Sequence, residues 1–221
     1  ATTEFYTLSL HDALPIFKPH LIDRYLVAIE RNKLSAVVCV NKTDLDSRGQ
    51  IEPTLVLYRG LGYRCLGVSA ATGAGIDELR GVLAGRQSVV TGQSGVGKSS
   101  LLNAVQPGLG LAVSDVSVLT WKGRHTTVQA RMIKLDVGGY VVDTPGIRQF
   151  ELERMKLGEL EAGFVEFVGL VAGCQFADCK HIPEEGCAIK AAVERGQIDP
   201  GRYDSYVRLF EELKQGIQGD V

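Results

Sequence analysis

The sequence predicts an α/β protein built on a phosphate-binding loop, followed by a small C-terminal helical subdomain that holds zinc. Three observations carry this. Short β-branched apolar runs alternate with amphipathic helical stretches through the first two-thirds, the pattern of a mostly parallel sheet. The run Gly92-Gln93-Ser94-Gly95-Val96-Gly97-Lys98-Ser99 fits G-x-x-x-x-G-K-[ST]. Three cysteines and a histidine cluster between Cys174 and Cys187.

Periodicity places the elements in order. Leu21–Asn32 has helical spacing, and Ala36–Val40 is a buried strand. Pro53–Gly60 is helical, Tyr63–Val68 a second strand, and Ile76–Leu83 a helix. Ser88–Thr91 is a third strand, running into the Gly-rich turn and a helix from Lys98 to Val105. Val128–Leu135 and Tyr140–Val142 read as a hairpin around Gly138-Gly139. Beyond Phe150 the pattern turns helical. Asp199-Pro200 supplies an N-cap and first turn for a helix reaching about Lys214.

Composition narrows the function. The 221 residues carry a formal charge of −2, so no global basic field marks a nucleic-acid binder. From Glu151 onward there are 8 basic and 14 acidic residues, which makes the tail acidic. No apolar run reaches the ~18 residues of a membrane span, and the start lacks a basic, then apolar, leader. A cytoplasmic, membrane-free monomer is the expectation. Five cysteines without a leader favour metal over disulfides.

The phosphate motif needs its residue types. Across Gly92, Gln93, Ser94, Gly95, Val96 and Gly97, glycines let backbone N–H groups turn inward around phosphate oxygens, and the helix N-terminus adds partial positive charge. Lys98 reaches the β- and γ-phosphates, Ser99 ligates Mg²⁺, and Ser100 closes the binding stretch. Asn41-Lys42-Thr43-Asp44 follows a strand directly. A carboxylate at Asp44 accepts two bonds from the guanine N1–H and exocyclic amine, a donor pair adenine lacks. Lys42 lies over the base, and Ser69-Ala70 offers a backbone N–H to guanine O6. Each of these loops ends a strand, where ligands bind open α/β sheets. Asp143-Thr144-Pro145-Gly146 also follows a strand: Asp143 serves the Mg²⁺ shell, and the Gly146 N–H senses the γ-phosphate. In Gly123-Arg124-His125-Thr126-Thr127, either Thr126 or Thr127 completes the Mg²⁺ ligands. Together these define an α/β P-loop GTPase domain that uses GTP with Mg²⁺.

Cys174, Cys179, His181 and Cys187 form C-x4-C-x-H-x5-C. Three thiolates and an imidazole fill tetrahedral Zn²⁺ and leave no open position, so the site is structural. Zinc is expected to fold a loop too short to hold itself by burial. Cys39 and Cys65 fall in strands and read as core.

The motif order is unusual. Asn41–Asp44 and Ser69-Ala70 precede the P-loop, whereas ordinary GTPases place them after it. A circular permutation accounts for this, because domain termini usually lie at the surface. The new break follows Asp143–Gly146. Here the sequence resembles the circularly permuted, ribosome small-subunit-dependent GTPases of the GTPase A (RsgA/YjeQ) type. The resemblance rests on L-I-D-R-Y-L, N-K-T-D, V-S-A, G-Q-S-G-V-G-K-S-S-L-L-N, G-R-H-T-T, D-T-P-G-I-R and the zinc segment. It covers about Lys18 to the C-terminus and implies GTP hydrolysis stimulated by the small ribosomal subunit in late subunit maturation. It also implies contact between the zinc region and rRNA, for which Lys180 and His181 form the local patch. Trp121, Lys122, Arg124 and Arg131 form a second candidate RNA face or a solvated edge.

Three departures accompany the resemblance. The family's N-terminal OB-type barrel is absent from this sequence, and the first strand of its GTPase domain is missing. Residues 1–16 do not match the family and resemble translated sequencing-adapter read-through, so residues 1–17 are expected to stand outside the fold. Gln93 occupies a position commonly Pro. The domains are then 18–150 for the GTPase and 151–221 for the helical zinc subdomain. Ile147 stands where many GTPases carry a water-orienting Gln, and it cannot hydrogen-bond. His125 is the candidate to position water; the alternatives are a solvated loop residue or an RNA contact. The rival functions are an ATP-dependent kinase and a zinc-stabilised RNA-binding module with a vestigial nucleotide site.

Overall fold

The computed structural model describes residues 5–12, 18–93, 95–111, 131–143 and 155–219. They fall into two compact units. The first comprises residues 1–18 and 34–148, the second residues 19–33 and 149–221.

The first unit is a six-stranded sheet. Its strands are β1 (Phe5–Asp12), β2 (Ser35–Asn41), β3 (Arg64–Gly67), β4 (Gln87–Gly92), β5 (Arg131–Lys134) and β6 (Tyr140–Asp143), in the order β3-β2-β1-β4-β6-β5. All neighbours pair parallel except β5 and β6. Among the helices of this unit are α2 (Ile51–Gly60), α3 (Ile76–Leu83) and α4 (Lys98–Val105). Val37, Cys39, Leu66, Val90 and Val141 of the sheet pack with Leu79, Val82 and Leu83 of α3 and Leu101, Leu102 and Val105 of α4. Cys39 lies in this core and Cys65 is buried in β3, as expected, and burial pushes the Cys65 thiol up to about 11. At the β5–β6 turn, Gly138 and Gly139 both take positive φ, 81° and 86°. Only residues tolerant of that region make so tight a hairpin.

In the second unit α1 (Pro19–Arg31) packs on α7 (Pro200–Gly219), with α5 (Leu157–Leu160) and α6 (Ala188–Glu194) completing the layer. Val27 joins Phe164, Phe167, Ile189, Tyr206 and Leu209 in a separate core. Asp199 accepts the Arg202 N–H at 3.1 Å, the N-cap expected of Asp199-Pro200.

Two boundaries differ from the sequence reading. Phe5–Asp12, expected outside the fold, is the strand between β2 and β4. The inner edges of β2 and β4 must each pair their backbone polar groups, and a segment alternating Tyr6, Leu8, Leu10 with smaller or polar residues meets that demand. Likewise α1, expected within 18–150, belongs to the second unit. Its buried face includes Asp23, 1% exposed, which requires a cation that α7 supplies.

Candidate nucleotide site and metal centre

The residues predicted to bind nucleotide gather at the C-terminal ends of β2, β3 and β4. β4 ends at Gly92, and the loop turns through Gly95 (φ 83°) and Gly97 (φ 91°) into α4. Val96 turns its side chain into the core, 4% exposed, while Gln93 faces solvent. Lys98 Nζ donates to the carbonyls of Gly92 and Gln93, both at 2.8 Å, so the ammonium sits at the mouth of its own loop. Ser99 and Ser100 follow in the first turn of α4. At the far end, Arg80 of α3 donates to the carbonyls of Val105 (2.7 Å) and Ala104 (2.9 Å). A cation there matches the negative pole of the helix whose positive pole faces the phosphate loop.

Asn41 joins the motifs. Its Nδ2 donates to the Val96 carbonyl at 2.9 Å, and its Oδ1 accepts the Ala70 N–H at 3.2 Å. One buried amide therefore ties the strand end that carries N-K-T-D both to the P-loop and to the Ser69-Ala70 loop. Spacing alone could not show this bridge, because its partners are 55 and 29 residues away. Lys42 takes left-handed backbone (φ 63°) and donates to the Gly95 carbonyl at 3.2 Å. Such a conformation costs a lysine about 1–2 kcal/mol. The Ser69 hydroxyl donates to the exposed Asp44 carboxylate and accepts the Thr72 N–H at 3.1 Å. Asp44 and Ser69, predicted to share the base site, are thus in contact.

β6 pairs with β4 so that Asp143 stands opposite Val90, which puts its backbone beside the strand that feeds the P-loop. The Asp143 side chain, Ser94, His125, Thr126, Thr127 and Gly146 lie outside the described residues, as do Trp121, Lys122, Arg124, the side chain of Arg131 and Ile147.

The second unit brings Cys174, Cys179, His181 and Cys187 together, with all ligand atoms within 4.8 Å of one another. His181 Nδ1 lies 3.5 Å from Cys174 Sγ and 3.4 Å from Cys187 Sγ. Bond lengths of ~2.3 Å to sulfur and ~2.0 Å to nitrogen around a tetrahedral ion require about 3.6 Å between such atoms, so the donor set fits Zn²⁺. With Nδ1 turned to the sulfurs, Nε2–H donates to Glu161 at 3.0 Å. This carboxylate partner fixes the ring and its tautomer; the sequence reading missed Glu161 because it lies 20 residues away. Burial, with Cys187 and Cys174 adding to it and the His181 backbone N–H opposing, pushes the Cys179 thiol up to about 12. Metal binding at neutral pH must therefore displace that proton.

One expectation for this region gains other contacts and one needs correction. The loop is also held by hydrogen bonds. Tyr203 and Tyr206 of α7 donate to the carbonyls of His181 (2.7 Å) and Lys180 (3.0 Å), and Lys190 donates to those of Ile182 and Glu184. His181 also cannot contribute to an RNA patch: it is 1% exposed and its ring is engaged on both sides. Lys180 is exposed.

A P-loop, an N-K-T-D strand end and a Ser-Ala loop on this sheet, in this chain order, define a circularly permuted GTPase fold. The family model described as RsgA GTPase matches residues 8–153, and the chain belongs to that family. The small ribosomal subunit biogenesis GTPase RsgA of Pseudomonas aeruginosa (strain UCBPP-PA14) is 46% identical over 203 residues, 90% of this chain and 60% of that protein. The Thermotoga maritima protein of the same name is 45% identical over 203 residues, 90% of this chain and 68% of its own. The solved structure of YjeQ from Thermotoga maritima superposes with a TM-score of 0.79 at 40% identity, covering 95% of this chain and 71% of that one. The structure of YloQ, described as a circularly permuted GTPase, gives 0.77 at 31% identity, with 96% and 69% covered. The chain spans about 60% of the length of the Pseudomonas relatives it matches.

Proposed function

We propose that the first unit binds GTP with Mg²⁺ and hydrolyses it to GDP and phosphate, and that the second holds a structural Zn²⁺. The observation that carries the nucleotide reading is Asn41. By bonding Val96 of the P-loop and Ala70 of the base loop, it sets phosphate and base recognition on one rigid frame.

In this reading Asp44 selects guanine, and Ser69 holds its carboxylate in place. Lys98 exchanges its two loop carbonyls for β- and γ-phosphate oxygens. With the backbone N–H groups of 92–97, it neutralises charge as the γ-phosphoryl leaves. Ser99 and Asp143, with Thr126 or Thr127, are the residues that would hold Mg²⁺, which would supply positive charge to offset that of the phosphate oxygens. Ile147 cannot orient water, so His125 takes that role, and the Gly146 N–H reports the γ-phosphate.

The relatives' name supports the small ribosomal subunit as partner, and we read the chain as a cytoplasmic monomer acting in subunit maturation. Among the described residues, no helix is long and apolar enough to cross a membrane.

Fluorescent GDP and GTP titrations with Mg²⁺, and phosphate release with and without small subunits, test the proposal. Micromolar guanine-nucleotide binding and subunit-stimulated release are expected. Asp44→Asn should shift preference to xanthosine nucleotides, whose C2 carbonyl pairs with an amide N–H. No affinity for either guanine nucleotide, or equal binding of ATP, would overturn the reading.

A further inference from the structure

The metal-site histidine is held by a side chain that ligand spacing does not pick out. His181 takes left-handed backbone (φ 60°), a region that a residue with a Cβ enters only when its surroundings hold it there. Glu184, half-buried in the turn that follows, supplies that hold. Its Oε1 accepts the Lys180 N–H at 2.9 Å, and its Oε2 accepts the Ile182 N–H at 3.1 Å. One carboxylate therefore bridges the residues on either side of the histidine. A single bond would leave a pivot, whereas two bonds from a planar group to points flanking one residue fix the path between them.

The turn that carries Glu184 is braced in its own right. Lys190 Nζ donates to the Ile182 carbonyl at 3.3 Å and to the Glu184 carbonyl at 3.0 Å. From α7, Tyr206 and Tyr203 hold the carbonyls of Lys180 and His181. All of these bonds are made by the protein's own groups, so none of them waits for a metal. Glu161 orients the His181 ring through Nε2; Glu184 orients the backbone from which that ring hangs.

We infer that Glu184 is a positioning residue for the metal centre: it keeps His181 in its left-handed turn whether or not the ion is bound, so that Nδ1 stays with the cysteine sulfurs and Zn²⁺ enters a preformed site. The inference rests on the zinc reading above. Without the carboxylate, the Lys180 and Ile182 N–H groups turn to water, residue 181 relaxes to negative φ, and the imidazole leaves the sulfurs. Binding must then draw it back, and affinity falls. Outer-shell partners of metal ligands typically account for 10–100-fold in affinity. A staple that served only the fold would lower the urea midpoint and leave the zinc affinity of the folded chain unchanged. A carboxylate that acted only by its charge would be matched by its exposed neighbour Glu185.

The test uses the full chain and three variants. Glu184→Ala removes both bonds, Glu184→Gln keeps one acceptor oxygen, and Glu185→Ala removes the same charge one residue on. Circular dichroism confirms the fold, and Glu184→Gln carries the measurement if Glu184→Ala loses it. Zinc affinity is read by competition with a chromogenic chelator, and hydrogen exchange of the Lys180 and Ile182 amides by NMR on the chelated protein. We expect zinc affinity at least ten-fold weaker in Glu184→Ala, intermediate in Glu184→Gln and within two-fold of the parent in Glu185→Ala. The two amides should be protected in the metal-free parent and exchange fast in Glu184→Ala. Unchanged affinity in Glu184→Ala, an equal loss in Glu185→Ala, or unprotected amides in the metal-free parent would overturn the role given to Glu184 while leaving the metal centre standing. A parent chain that retains no zinc, and gives no tetrahedral thiolate spectrum with Co²⁺, would overturn the zinc reading itself, and this inference with it.

Discussion

A Cβ added at Gly97 would lie 2.4 Å from Nδ2 of Asn41. The N-cap of the P-loop helix and the first residue of the N-K-T-D motif thus approach as closely as a hydrogen atom in place of a side chain allows. That approach lets Asn41 reach the Val96 carbonyl, and it joins two motifs 55 residues apart in sequence.

Gly97→Ala should therefore damage nucleotide binding. The alanine meets left-handed backbone (φ 91°), which costs about 1–2 kcal/mol, and it displaces the Asn41 amide from the loop. Guanine-nucleotide affinity should fall at least ten-fold, read by fluorescence titration. Parent-like binding would show that the contact is dispensable.

Arg202 is held by two carboxylates in the second unit. Nη1 donates to Asp23 at 2.6 Å, and Nε and Nη2 donate to Glu166 at 2.7 and 2.9 Å, with the guanidinium 4.6 Å from the centre of the Phe164 ring. Removing a buried cation from such a group strands its partners, at about 3–5 kcal/mol. Arg202→Met should lower the urea midpoint accordingly, followed by far-UV circular dichroism. Asp23→Asn in the same chain should recover part of the loss. A stability loss below ~1 kcal/mol in Arg202→Met, taken from the midpoint and slope, would contradict this account.

Glu161→Ala should leave the four metal donors in place yet weaken zinc retention, because His181 loses the partner of Nε2. Losing such a partner typically lowers affinity 10–100-fold, measurable by competition with a chromogenic chelator. Chelation should leave most of the helical signal of the second unit, since Tyr203, Tyr206 and Lys190 hold the loop by other bonds. Collapse of the helical signal on chelation would return the metal to sole responsibility for the loop.

His11 sits buried in β1, and loss of hydration lowers its pKa from 6.5 to about 3. Between those values the unfolded chain binds a proton that the folded chain refuses, so stability is complete above pH 6.5 and declines as pH falls toward 3. The slope is at most ~1.4 kcal/mol per pH unit. His11→Leu should flatten melting temperature between pH 6.5 and 4.5, as thermal scans would show. An unchanged pH slope would assign the acid sensitivity elsewhere.

Much of this protein was legible in its residues. Ile76–Leu83 and Lys98–Val105 are helices over the predicted spans, and the Gly138-Gly139 hairpin forms where expected. Periodicity, capping and turn chemistry act over a few residues, so a linear reading captures them. The Cys/His spacing and the P-loop are local in the same sense. What sequence spacing could not supply were the partners. Asp23 within L-I-D-R-Y-L carries no sign that its cation lies 179 residues away on α7, nor does Glu161 show that it orients His181. Phe5–Asp12 is expected outside the fold because it resembles adapter read-through rather than the family, yet the open edges of β2 and β4 take it in. Sequence alone determined the parts and their chemistry because those depend on neighbours along the chain. Tertiary structure decided which buried polar group meets which, because that depends on desolvated atoms finding partners across the core.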